Sequence, residues 1–119
     1  ERREELLEKA AGGLMRVELA RAEDGRVVGY CVSSLGPNMT GEVDSIFVTA
    51  AYRGTGIGTA LMEGALRWMD GLGAKRKIIL AIVGNEEVHA FYARFGFLPR
   101  SVILEQAQAP GGKRSDKHI

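Results

Sequence analysis

Hydrophobic and polar positions change period several times along this chain, and each change marks an element. Leu14 to Ala20 alternates apolar and polar side chains, as does Val27 to Ser33, so both read as half-buried strands. Glu23-Asp24-Gly25-Arg26 between them signals a hairpin. Leu35-Gly36-Pro37-Asn38 marks a turn before a third strand, Glu42 to Val48. From Ile57 the period lengthens: Ile57, Leu61, Ala65, Trp68, Met69 and Leu72 form a helical stripe, closed by Gly71 and Gly73. Lys77 to Val83 is then a nearly unbroken apolar run, as expected of a central parallel strand covered on both faces.

The ends carry weaker patterns. Glu1 to Ala11, rich in Glu, Arg, Leu and Ala, predicts a helix stopped by Gly12-Gly13. Asn85 suits the N-cap of a last helix, with Glu86 and Glu87 in the first turn where the dipole favours them. That helix is expected to end at Gly96 in a left-handed cap, with Phe97 folding back onto it. Val102 to Glu105 predicts a terminal strand, and residues 109–119 a disordered tail beyond a single domain of residues 1–108. The fold class is α/β (α+β): a mixed sheet with an antiparallel N-terminal hairpin and a parallel β-α-β unit, its crossover right-handed, between residues 42 and 83.

Composition narrows the class without choosing within it. The 119 residues, 45% hydrophobic and 26% charged, suit one globular domain. A net charge of +1, with no dense Lys/Arg patch, gives no reason to invoke nucleic acid. Cys31 is the single cysteine, so no internal disulfide can form, which fits a reducing cytoplasm. No apolar run approaches bilayer length, and no membrane association is expected. His89 and His118 suggest no metal site.

The chemistry concentrates in Arg53-Gly54-Thr55-Gly56-Ile57-Gly58, between the third strand and the long helix. Alternating glycines let a backbone approach a ligand closely, and the helix start presents unpaired N–H groups and the positive end of its dipole. Arg53 adds a cation suited to phosphate. A phosphorylated cofactor held by its pyrophosphate is the first expectation. A nucleoside-triphosphate loop is excluded, because Gly58-Thr59-Ala60 stands where Gly-Lys-Ser/Thr is required. A dinucleotide fingerprint is disfavoured, because Thr49-Ala50-Ala51-Tyr52 separates the first glycine from its strand and an antiparallel hairpin precedes it. A glycine-rich turn without a ligand is the remaining alternative.

Two motifs in order then resemble a known family. Arg53-x-x-Gly56-x-Gly58, preceded by Ile46-Phe47-Val48 and Tyr52, resembles the acetyl-coenzyme A loop of the GNAT N-acetyltransferases. Asn85 followed by Ala90, Phe91-Tyr92 and Gly96-Phe97 resembles that family's second signature. The resemblance covers roughly residues 15 to 106 and implies acetyl transfer from acetyl-coenzyme A to a primary amine acceptor, small molecule or protein, by direct transfer. It implies cofactor contacts from Arg53, Gly54, Thr55, Gly56, Ile57, Gly58 and Thr59 at the pyrophosphate. The main chain of Ile46, Phe47 and Val48 would pair with the pantetheine amides as a further strand would, and Asn85 would contact the same arm. Family members usually carry another strand and helix before the first helix expected here, and the departure leaves the acceptor pocket undefined.

Amine acetylation needs a base for the amine proton, a donor for the thioester oxygen and help for the departing thiolate. Glu42 lies fourteen residues before Gly56, the spacing of the general-base glutamate in the histone-modifying branch of the resembled family. Asp44, two residues on and so expected on the same strand face, is the other candidate base. Both could equally be solvated surface carboxylates. Tyr92 matches the family's usual general acid, while Phe91 and Phe95 read as packing residues. A ping-pong route through Cys31 is set aside, since a lone cysteine in an apolar strand is more often a small buried hydrophobe. A different class of function is a non-catalytic acyl-coenzyme A sensor or partner-binding domain, which would have no need of both Glu42 and Tyr92. A homodimer is expected from the exposed edge near Val102 to Leu104.

Overall fold

The computed structural model describes residues 2–10, 13–81 and 86–108. The two alternating segments form the expected antiparallel pair, β2 (Gly13–Arg21) and β3 (Val27–Gly36), and β3 continues antiparallel into β4 (Thr40–Val48). The periodic segment forms α1 (Ile57–Gly71), which packs on β2, β3 and β4. Ile57, Leu61, Met62, Ala65 and Met69 are buried there against Ala20, Cys31, Val43 and Ile46. Each large apolar side chain so buried contributes about 1.5–3 kcal/mol. Trp68 packs at the edge of this core, half-buried.

The N-terminal segment is a strand and not the helix its composition predicts: β1 (Arg2–Ala10) pairs with β2 from Arg2↔Arg21 to Ala10↔Gly13. A helix as short as Glu1 to Ala11 is marginal alone, whereas the hairpin gives the backbone a full ladder. Its charges then find partners: Arg16 Nη2 lies 3.1 Å from Glu5 Oε2, and Arg21 Nε donates to Glu4 Oε2 at 3.3 Å. Local propensity loses here to pairing.

After α1 the chain returns as β5 (Arg76–Ile78), parallel to β4 through Thr40↔Arg76, Gly41↔Lys77 and Glu42↔Ile78. The sheet order is β1-β2-β3-β4-β5, so β5 lies at an edge. This corrects the expectation of a long central strand over 77–83: the described strand is short and Leu80 is 56% exposed. Residues 82 and 83 lie outside the described residues. The cause is a bulge in β4. Val32 pairs with Ser45 while the next residue, Ser33, pairs with Val43, leaving Asp44 as the extra residue. A bulge bends its strand and sharpens the twist, and β4 parts from β5 just before it.

The last helix is α2 (Glu86–Ala93), followed by a turn in which Gly96 has φ +87° and Phe97 N–H donates to the Tyr92 carbonyl at 3.2 Å. The chain therefore closes at Gly96 as its sequence predicts. The predicted terminal strand is absent: Val102, Ile103 and Leu104 are 67%, 81% and 92% exposed and pair with no strand among the described residues. Val102 and Ile103 are β-branched and favour a strand, but they pair with none of the described edges. Asn85 and the tail from residue 109 lie outside the described residues.

Candidate active site

β4 leads directly into the glycine turn. Thr49 N–H donates to the Val28 carbonyl at 2.8 Å, holding the end of β4 to β3, and a single 3-10 turn follows at Ala50–Tyr52. Thr55 Oγ1 donates to the Tyr52 carbonyl and fixes the next bend. Gly56, at φ +93° and ψ −1°, is the N-cap of α1, a left-handed conformation that side-chain-bearing residues rarely adopt. A Cβ built on Gly54 or Gly56 would meet nothing within 4 Å, so the outer side of the turn is open. No side chain caps α1 and no acidic residue occupies its first turn. The first N–H groups of α1, from Ile57, Gly58 and Thr59, therefore face that opening as uncapped donors at the positive end of the helix.

The arginines are arranged differently from the sequence expectation. Arg53 Nε donates to the Val48 carbonyl at 3.0 Å, and its guanidinium lies 5.8 Å from the Phe47 ring centroid. It is drawn back along β4. Arg94, which the motif reading passed over, reaches α1: its Nη2 donates to Thr59 Oγ1 at 3.3 Å. Nothing in the sequence marks Arg94, because its reach depends on how α2 packs beside α1. Arg3 of β1 also reaches this turn, donating from Nη1 to the Ala60 carbonyl at 3.3 Å.

Among the described residues, the edge of β4 that faces β5 is paired only from Thr40 to Glu42. From Val43 to Val48, Ile46, Phe47 and Val48 included, no described strand pairs on that side, and this open edge runs straight to the glycine turn. Glu42 stands at the fork, opposite Ser34 of β3 and Ile78 of β5, and is half-buried. The bulge takes Asp44 out of the two-residue alternation that would stack it with Glu42. Val43 and Ile46, three apart, both point into the core. Asp44 Oδ2 is buried without a hydrogen-bond partner among the described residues.

Tyr92 is 3% exposed and belongs to the same core cluster as Ile46 and Val48, whereas Phe91 and Phe95 pack around that cluster only partly buried. Its hydroxyl is buried and finds no partner among the described residues. Burial pushes its pKa up to about 12, with a smaller push from the neighbouring Cys31 thiol. Cys31 is fully buried, and burial raises its own pKa to about 11, so it is no nucleophile. An open strand edge, an open turn at a helix start and an orphaned buried hydroxyl fit an elongated ligand with an amide arm and a phosphate end.

The family model described as the acetyltransferase (GNAT) family matches residues 2–97, and the chain belongs to that family. It is 33% identical over 82 residues to an uncharacterized N-acetyltransferase of Mycobacterium tuberculosis, an overlap covering 69% of this chain and 53% of the relative. The chain thus spans about half the length of the curated relatives it matches. Its fold is similar to that of a provisionally named acetyl transferase from Pyrococcus furiosus (TM-score 0.73, 25% identity, 82% of this chain and 68% of that one). It is also similar to an aminoglycoside N-acetyltransferase solved in complex with CoA (TM-score 0.68, 18% identity, 80% and 77%), a likeness of fold.

Proposed function

We propose that this protein transfers an acetyl group from acetyl-coenzyme A to a primary amine by direct attack. The observation that carries the reading is the edge of β4 that the described residues leave unpaired, running from the fork at Glu42 into the glycine turn. The N–H and C=O groups of Ile46, Phe47 and Val48 receive the amide arm as a further strand would, and the backbone of residues 53–59 receives the diphosphate. When bound, the coenzyme supplies an activated acetyl thioester. Glu42 takes the proton of the acceptor ammonium, with Asp44 the second carboxylate in reach of the fork. The amine nitrogen forms its bond to the acetyl carbon as the carbon–sulfur bond breaks, and the nitrogen's second proton then passes to the departing thiolate, which leaves as the free thiol. One N–H of β4 polarises the carbonyl oxygen. Tyr92 donates its hydroxyl hydrogen bond to the departing sulfur. Its raised pKa keeps it protonated well above neutrality, and a thiol near 8.5 is the stronger acid, so Tyr92 stabilises the thiolate without giving up its proton.

The test is release of free thiol from acetyl-coenzyme A with a panel of amines, read beside coenzyme binding in calorimetry. Amine-dependent thiol release is expected. Binding with no turnover on any amine would instead fit a sensor.

A further inference from the structure

Glu42 fixes the face of the sheet on which an acceptor arrives. Gly41 turns toward α1, where a Cβ would stand 2.7 Å from the Met69 sulfur, and Val43 is buried in the core. Thr40 and Glu42 therefore face away from the helix. The parallel pairing carries that face onto β5, with Arg76 beside Thr40 and Ile78 beside Glu42. Lys77, between them, points back and pairs with Asp70 of α1, which leaves Arg76 on the side of Glu42. Diagonal neighbours of this kind lie about 8 Å apart at their Cα atoms. Arg76 is exposed and has no ion pair among the described residues.

The turn that borders Arg76 is strained. Asn38 and Met39, just before β4, have φ of 61° and 56°, a conformation that asparagine takes readily and methionine rarely. Lys75 N–H donates to the Met39 carbonyl at 2.8 Å, so the strained turn is tied to the residue preceding Arg76. Strain of this sort collects at ligand clamps.

We propose that Arg76 selects the acceptor: it receives an anionic group, carboxylate or phosphate, carried by the molecule whose amine nitrogen lies at Glu42. The inference rests on the acetyl-transfer reading above. The planar fork of a guanidinium matches two oxygens of either anion. Glu42 and Arg76 then read the two ends of one molecule, its ammonium and its anion, joined by a short alkyl chain or a short stretch of extended peptide. A diamine would set its second ammonium against Arg76 and is a poor acceptor.

The experiment is steady-state acetylation by the parent, R76Q, R76K and R67Q, read as free thiol released. The probes are aminocaproate, its neutral amide, aminopentyl phosphate, diaminopentane, and peptides with a free N-terminus followed by glutamate or by glutamine. The parent should favour the anionic member of each matched pair by about tenfold in kcat/KM, the value of one charge-assisted contact near the surface. The anionic probe served best separates a small phosphorylated or carboxylated amine from a peptide N-terminus. R76Q should erase the preference through KM, with kcat little changed. R76K, which keeps the charge without the fork, should recover part of it. R67Q removes an equal charge from the exposed side of α1 and should keep the parent's preference. A parent indifferent to acceptor charge, an R76Q enzyme that keeps the preference, or a loss confined to kcat, as if Arg76 acted only through Glu42, would each overturn the assignment and leave acetyl transfer standing. A parent that turns over no probe and no member of the wider amine panel would overturn the transfer reading itself.

Discussion

A Cβ at Gly64 of α1 would stand 2.7 Å from Glu18 Oε1 of β2 and 3.1 Å from Arg16 Nη2. The helix comes this close because Arg16 and Glu18, both buried, lie 3.4 Å apart on the sheet face beneath it. Gly64→Ala would ordinarily favour a helix by about 1 kcal/mol. Here it must displace a buried ion pair, so a net loss of about 1–3 kcal/mol is expected. A thermal melt reads it: a melting temperature at or above the parent's would show that the pair yields freely.

Alkaline pH should loosen the fold before it ionises the folded protein. Cys31 carries its proton in the folded chain up to about pH 11 but releases it near 9.0 when unfolded. Between those values the unfolded state binds fewer protons, so stability falls as pH rises, by up to about 2 kcal/mol. Cys31→Ala, whatever its cost at pH 7, should show a flatter decline from pH 9 to 11 in denaturant melts. An unchanged slope would trace the decline to other groups.

Tyr92→Phe should separate stability from turnover. Removing a buried hydroxyl that has no partner among the described residues removes a desolvation cost, so the melting temperature is expected to hold or rise. Turnover should drop by about a hundredfold, toward the lower end of general acid effects, because the tyrosine stabilises the thiolate without surrendering a proton. Coenzyme affinity should barely change. A variant that is less stable and equally active would make Tyr92 a packing residue.

Glu42→Gln acts at the other end of the reaction. Its deficit should be greatest below the amine's pKa, where the acceptor arrives protonated, and should shrink as pH rises and more amine is neutral. The pH–rate profile with one accepted amine decides it. A profile matching the parent's at every pH transfers the role of base to Asp44 or to water.

At the turn, Gly56→Val combines two effects. The built Cβ meets open space, so no protein atom resists it, but φ +93° strains any residue other than glycine. Some loss of stability is expected, together with loss of coenzyme binding, because the branched side chain fills the space the phosphates need. Calorimetric affinity equal to the parent's would move the phosphate site elsewhere.

The sequence disclosed the elements whose period is long and regular, and the turn whose glycines are spaced for it. β2, β3, β4 and α1 fall where the alternation and the stripe put them, and Gly96 closes α2 as its position suggests. What stayed hidden depends on partners distant in the chain. Arg2 to Ala10 has helical composition, and only pairing with β2 makes it a strand. The run after Arg76 is apolar enough for a central strand, but the extra residue at Asp44 steers β4 away from it. For the same reason Glu42 and Asp44 could be named from spacing while their unequal settings could not. Arg53 turns back along β4 while Arg94 reaches α1, because side-chain reach is set by packing, which no motif records.

Hydrogen-bonding groups left bare along a strand edge are open to any extended backbone, including that of a neighbouring molecule. A ligand lying along Val43 to Val48 and an intermolecular strand would compete for the same N–H and C=O groups. On the proposed coenzyme reading, coenzyme concentration then becomes a solubility variable, and the protein is best stored loaded.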